Sequence, residues 1–225
     1  MGHTTTLTSA DGFSLGAYVA EPAGTPRGGV VVIQEIFGVN SHIRSVADGY
    51  AAAGYLAVAP ALFDRIRPGV ELGYTDDDIA VGIDLARGKT DTDKAMDDVA
   101  AAVALASGAG KVGVVGYCWG GLLAALSAIR LGDSVSAAAA YYGGGTPTLA
   151  GLTPVAPMVM HYGEHDHAIP LADVDKLRAA WPGVTFHIYD AQHGFNCDQR
   201  GSYDAASAAL AKERTLAFFA SHLGG

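Results

Sequence analysis

The chain has 225 residues, half of them apolar and only 16% charged, with 23 acidic against 14 basic side chains and a formal net charge of −9. One α/β domain over residues 1–225 fits that length, and without a basic stripe nucleic acid is excluded as an expected partner. No apolar stretch reaches the ~18 residues needed to cross a bilayer, and two cysteines do not make the disulfide framework of a small secreted fold.

In chain order, residues 7–19 are predicted to form an antiparallel hairpin with Asp11-Gly12 at its turn. The approach to it, MGHTTTLTSADGF, lacks the basic and apolar regions of a signal peptide, so the expected compartment is the cytoplasm. Met1, Gly2 and Thr6 fit the short myristoylation pattern M-G-x-x-x-[ST]. The same segment reads as the lead into a first strand, and no membrane partner is expected. Residues 29–34 read as a buried strand, and Ser41 as the cap of a helix reaching Ala53. Residues 55–59 form a strand closed by Pro60, and residues 76–87 and 92–107 are predicted helices. Strands are predicted at the nucleophile segment described below, near 135–142, at 158–161 and near 185–189. Pro170 opens a helix running to Trp181, and a last helix covers about 203–222. Strands alternating with helices predict a mostly parallel sheet with right-handed crossovers and helices on both faces.

The segment KVGVVGYCWGG, residues 111–121, is a short apolar run ending in a G-x-C-x-G motif, with LLAALSAIR beyond it as a helix. A nucleophile on a tight strand-to-helix turn has this form, with serine the usual central residue. Here the centre is Cys118. Gly116 and Gly120 fit because a side chain at either would collide with the neighbouring strand and helix. The turn sets the sulfur at a helix N-terminus, which favours the thiolate. The N–H of Trp119 then faces a developing oxyanion.

A thiol hydrolase needs a base and a carboxylate to orient it, in the order nucleophile, acid, histidine. Asp166 follows an apolar strand in PMVMHYGEHDHAIP, and His193 follows another in VTFHIYDAQHGF. Loops after strands build active sites at the carboxyl edge of a parallel sheet. His161, Glu164, His165, Asp166 and His167 also suggest a metal cluster. Alternation on a strand and tight loop would splay them apart, and no HExxH or paired-cysteine spacing is present. No metal or cofactor is expected.

With these residues the chain resembles the dienelactone hydrolases (carboxymethylenebutenolidases), a cysteine branch of the α/β hydrolases. Four segments carry the resemblance: QEIFGVN at 34–40, VGYCWGG, HYGEHDHAIP, and the 190–195 loop with the final helix. The resemblance implies an α/β-hydrolase fold, hydrolysis of small esters or lactones, and a triad of Cys118, Asp166 and His193. It implies that Glu35 contacts the resting thiol and takes part in its activation. It makes Ile36 the second oxyanion donor beside Trp119. The residues agree for Glu35, since an unpaired carboxylate ending a very apolar strand would be costly.

The family binds a substrate carboxylate with two arginines, one of them four residues past the catalytic histidine. That position is Cys197 here, with Arg200 displaced nearby and Arg65, Arg67 and Arg87 unplaced candidates for the other. Carboxylate recognition is therefore expected to be weakened. Arg200, Tyr142 and Phe37 are the candidate substrate contacts. The expected assembly is a monomer or weak homodimer acting on a small ester or lactone. Three readings compete: a redox-active thiol protein using Cys118 and Cys197, a binding module with a dead pocket, and a generic carboxylesterase.

Overall fold

The computed structural model describes residues 2–224, so Met1 of the myristoylation pattern lies outside it. Eight strands make one sheet in the order β1-β2-β4-β3-β5-β6-β7-β8. β1 (His3–Thr8) and β2 (Ser14–Ala20) form the expected antiparallel hairpin, although its loop is longer than a two-residue turn. β2 pairs antiparallel with β4 (Leu56–Pro60). Every later pairing is parallel, through β3 (Gly29–Ile33), β5 (Val112–Tyr117), β6 (Ala137–Tyr141), β7 (Met158–Gly163) and β8 (Thr185–Tyr189).

The sequence explains this layering. β3, GVVVI, and β5, VGVVGY, are buried along their whole length, as strands covered on both faces must be. α1 (Ser41–Ala52) packs on β2, β3 and β4, and α6 (Ala205–Leu223) packs on β5, β6 and β7. Residues of α1 and α6 meet along one cavity, on one face of the sheet. α3 (Thr92–Ala106) and α4 (Trp119–Arg130) touch each other and cover the other face. β6, AAAAY, carries small side chains that let α4 and α6 approach closely.

Three boundaries depart from expectation. Asn40, not Ser41, caps α1, its side chain accepting from the Ile43 N–H at 3.3 Å. The helix expected over 76–87 is α2 (Asp76–Ile83), which widens into a π-helical turn over Asp84–Lys89. The Thr90 N–H and hydroxyl both bond the Leu85 carbonyl and close that turn. Pro170 precedes α5 (Leu171–Ala180) rather than opening it. No described helix is long and apolar enough to cross a membrane.

Arg65 is not a substrate contact. Its guanidinium lies 2.8 Å from both oxygens of Asp98 and 2.9 Å from Asp11. Asp98 is fully buried on α3 and also accepts from the Ser9 hydroxyl. Arg65→Ala should cost about 3–5 kcal/mol, because it leaves a buried carboxylate without its cation. A denaturant titration reads this, and Arg65→Met with Asp98→Leu should recover most of the loss. An Arg65→Ala midpoint equal to wild type would show that the pair carries no such role.

Candidate active site

β3, β5, β6, β7 and β8 run parallel, so the residues following them gather at one edge of the sheet. They include Glu35, Cys118, Tyr142, Asp166 and His193 in turn. Cys118 is the residue before α4 and has φ 55° and ψ −117°. A side chain at positive φ is strained, and such strain collects at functional turns. The turn is enforced by its neighbours. A Cβ on Gly116 would meet the Gly120 carbonyl, and one on Gly120 would meet the carbonyls of Ile33 and Gln34. Trp119, first residue of α4, has one of the N–H groups that a helix start leaves without an intrahelical acceptor. Its indole stacks on Phe63, with ring centres 5.3 Å apart.

The Cys118 sulfur lies 3.2 Å from His193 Nε2, and His193 Nδ1 lies 2.7 Å from Asp166 Oδ2. Asp166 is buried, and its other oxygen accepts from the Ala168 N–H at 2.8 Å. Burial alone would lower the His193 pKa. Hydrogen bonds to Asp166 and to the Cys118 sulfur, with their charges, outweigh it and raise the value to about 10. The geometry therefore favours an imidazolium beside the Cys118 sulfur. Gly194 has φ +77°, and a Cβ there would come within 2.5 Å of Arg200 Nη1.

Glu35 is buried, and neither carboxylate oxygen has a hydrogen-bond partner. The thiol does not rest on it here, since the sulfur faces His193. Its nearest cation is Arg200, with Nη1 3.8 Å from Oε1. The loop after His193 puts Arg200 there. Cys197 N–H bonds the Gly194 carbonyl and Arg200 N–H bonds the Cys197 carbonyl, so two successive turns bring the arginine back over Gly194. Its guanidinium sits 5.6 Å above the centre of the Phe37 ring. The displaced arginine thus reaches the centre of the site, which its position in the sequence alone did not reveal.

Tyr142 has φ 35°, and its ring packs edge-on to His193 at 5.1 Å. Its buried hydroxyl has no partner. Burial first, and then the charges of Glu35, Cys197 and Cys118, push the phenol pKa well above the usual tyrosine range. Ile36 and Phe37 form the turn after Glu35, and the Phe37 carbonyl accepts from the Leu72 N–H at 2.9 Å. Arg67 is exposed, while Arg87, exposed on the π-helical turn, passes beside Gly144.

The histidine-rich loop does not converge. His161 is buried against Tyr189 and Thr215, whereas Glu164, His165 and His167 are exposed. Among the described residues, one group has metal-ligand donor types: Glu35, His42 and Cys197, whose donor atoms lie within 4.8 Å of one another. Sequence reading missed His42, which sits on α1, far from the other site residues along the chain. Both cysteines are free thiols. Burial, and then the Glu35 charge, push the Cys197 thiol up to about 11, which leaves it a poor resolving nucleophile.

Known proteins share this architecture. The family model described as "Dienelactone hydrolase family" matches residues 15–223. The carboxymethylenebutenolidase of Pseudomonas putida is 35% identical over 95% of this chain and 94% of its own length. That of Pseudomonas knackmussii gives the same identity and coverage. A Klebsiella pneumoniae crystal structure, provisionally named a dienelactone hydrolase, superposes with a TM-score of 0.85 at 30% identity, covering 99% of this chain and all of that one. The chain is a hydrolase of ester or lactone bonds and belongs to the dienelactone hydrolase family.

Proposed function

We propose that the enzyme hydrolyses small esters or lactones through an acyl-thioester on Cys118, with His193 as base and Asp166 holding the imidazole. The observation that carries this reading is the line Asp166 Oδ2, His193, Cys118 Sγ, at 2.7 and 3.2 Å. The thiolate adds to the carbonyl carbon. The oxyanion takes hydrogen bonds from the Trp119 and Ile36 N–H groups. The C–O bond breaks as the His193 imidazolium gives its Nε2 proton to the departing alkoxide or enolate, leaving a thioester and a neutral imidazole. His193 then takes a proton from water, hydroxide adds to the thioester, and the thiolate leaves. Glu35 accepts the thiol proton when Cys118 is not yet ionised. A thioester gives no advantage for amides, whose amine leaves poorly, so esters and lactones are the substrate class.

Arg200 extends the reading to charge. Among the described residues it is the one cation beside Glu35, and Glu35 does not hold it by a hydrogen bond. A substrate carboxylate would compete for it, so the reading favours carboxylated lactones over uncharged ones. This reverses the expectation drawn from Cys197 alone. The experiment compares kcat/KM for a carboxylated lactone and its methyl ester, in wild type and Arg200→Ala. Wild type should favour the free acid by about ten- to a hundredfold, the value of a charge-assisted hydrogen bond of ~1.5–3 kcal/mol. The variant should lose that preference. Equal constants for acid and ester in wild type would restore the uncharged substrate, and no turnover of either would sink the hydrolase assignment.

A further inference from the structure

A second histidine–aspartate pair lies behind Glu35. His42, on the first turn of α1, is buried, and its Nδ1 is 3.0 Å from Asp198 Oδ1. Its Nε2 is also buried and has no partner. One ring nitrogen of His42 lies within 4.8 Å of a Glu35 oxygen and of the Cys197 sulfur, and both Glu35 oxygens are unpartnered too. Asp198, by contrast, is 55% exposed. Beside the pair is a cavity of about 220 Å³ whose lining includes His42, Tyr50, Tyr117, Asp198 and Lys212. A line of proton-carrying groups therefore runs from Glu35 through His42 to the exposed Asp198.

Two functions suit such a cluster: a bound metal or a proton path. Electrostatics decides between them. The Arg200 guanidinium, 3.8 Å from Glu35, already supplies the positive charge that a metal would bring. A second cation beside it would be repelled. A proton path needs no added charge.

We infer that His42, oriented by Asp198, relays the proton that Glu35 takes from Cys118. The inference rests on the proposed role of Glu35 as that acceptor. The S–H bond breaks, its electron pair stays on sulfur, and an O–H bond forms on Glu35. That proton passes to His42 Nε2 while the proton on Nδ1 passes to Asp198 and then to water. Nothing is oxidised or reduced. Movement of the unbonded Glu35 carboxylate toward the His42 ring brings the two within hydrogen-bond range. The route clears the thiol proton before attack, while the acid proton formed at deacylation leaves with the product.

The test is the rate of Cys118 acylation by a chromogenic aryl ester, read by stopped flow. His42→Gln should slow acylation about tenfold or more, the lower range for a proton-transfer group. Glu35→Gln should slow it as well, and the double variant should be no slower than Glu35→Gln alone, since both act on one proton. Imidazole should restore part of the rate to His42→Ala by entering the adjacent cavity, which a purely structural role would not allow. Asp198→Asn changes an exposed residue, so it serves the same cycle if the His42 variants unfold. Multiplying defects in either cycle overturn the relay. So does a wild-type rate for His42→Gln alongside a slow Glu35→Gln, and this leaves the role of Glu35 standing. A wild-type rate for Glu35→Gln removes that role and the relay together.

Discussion

Cys118→Ala should lower kcat for ester hydrolysis by on the order of 10⁴-fold or more, the loss expected when a covalent nucleophile is taken from a concerted set. The residual rate would come from the oxyanion donors and substrate binding alone. Cys118→Ser should be nearly as poor. The imidazolium at about 10 is matched to a thiolate, and a hydroxyl several units less acidic than a thiol would stay protonated beside it. With its pKa raised to about 10, His193 should hold its proton through the neutral range, which imidazole NMR signals followed against pH would read. Mass spectrometry of enzyme quenched during turnover should find the acyl group on Cys118. Wild-type turnover by Cys118→Ala would overturn the mechanism, and an imidazole that loses its proton near the usual histidine value of about 6.5 would overturn the raised His193 pKa.

The parts of this site legible in the sequence are those fixed by short-range sterics and by strand order. Gly116 and Gly120 flank Cys118 because a Cβ at either would strike backbone, and that constraint is written within five residues. Asp166 and His193 follow their strands, and parallel pairing brings them to the same edge. The strand 185–189 was readable to the residue because its pattern is bounded by Gly183 and Asp190. Arg200 was legible only as a candidate contact displaced in sequence, because its reach to Glu35 depends on two consecutive turns after Gly194. His42 was hidden for a different reason: its partner Asp198 lies 156 residues away, and only the packing of α1 beside that loop joins them. The π-helical turn over Asp84–Lys89 is closed by the Thr90 N–H and hydroxyl on the Leu85 carbonyl, contacts that no hydrophobic periodicity encodes.

The second large effect is expected at Asp166. Asp166→Asn keeps the volume but changes what His193 can do. In the wild type Oδ2 accepts the proton on Nδ1, so Nε2 is turned to the sulfur as the site that takes and gives protons. An asparagine has one oxygen and one NH₂ group. Its oxygen is drawn to the Ala168 N–H that already bonds Oδ1 at 2.8 Å. The NH₂ group then faces Nδ1 and forces it to accept. The ring proton moves to Nε2, so the neutral imidazole has no free nitrogen there to take the proton from water. The loss of carboxylate charge also removes much of what raises the His193 pKa against burial. We expect kcat to fall by on the order of 10³- to 10⁴-fold, close to the tautomer penalty known for triads of this kind. Asp166→Ala should retain more activity than Asn, because the ring is then free to choose its tautomer. Alkylation separates the possible steps. If Asp166 sustains the thiolate, both variants slow Cys118 alkylation at neutral pH along with turnover. If alkylation stays at the wild-type rate while hydrolysis collapses, Asp166 acts only when His193 activates water, and the resting ion pair is held by His193 and the helix terminus without it.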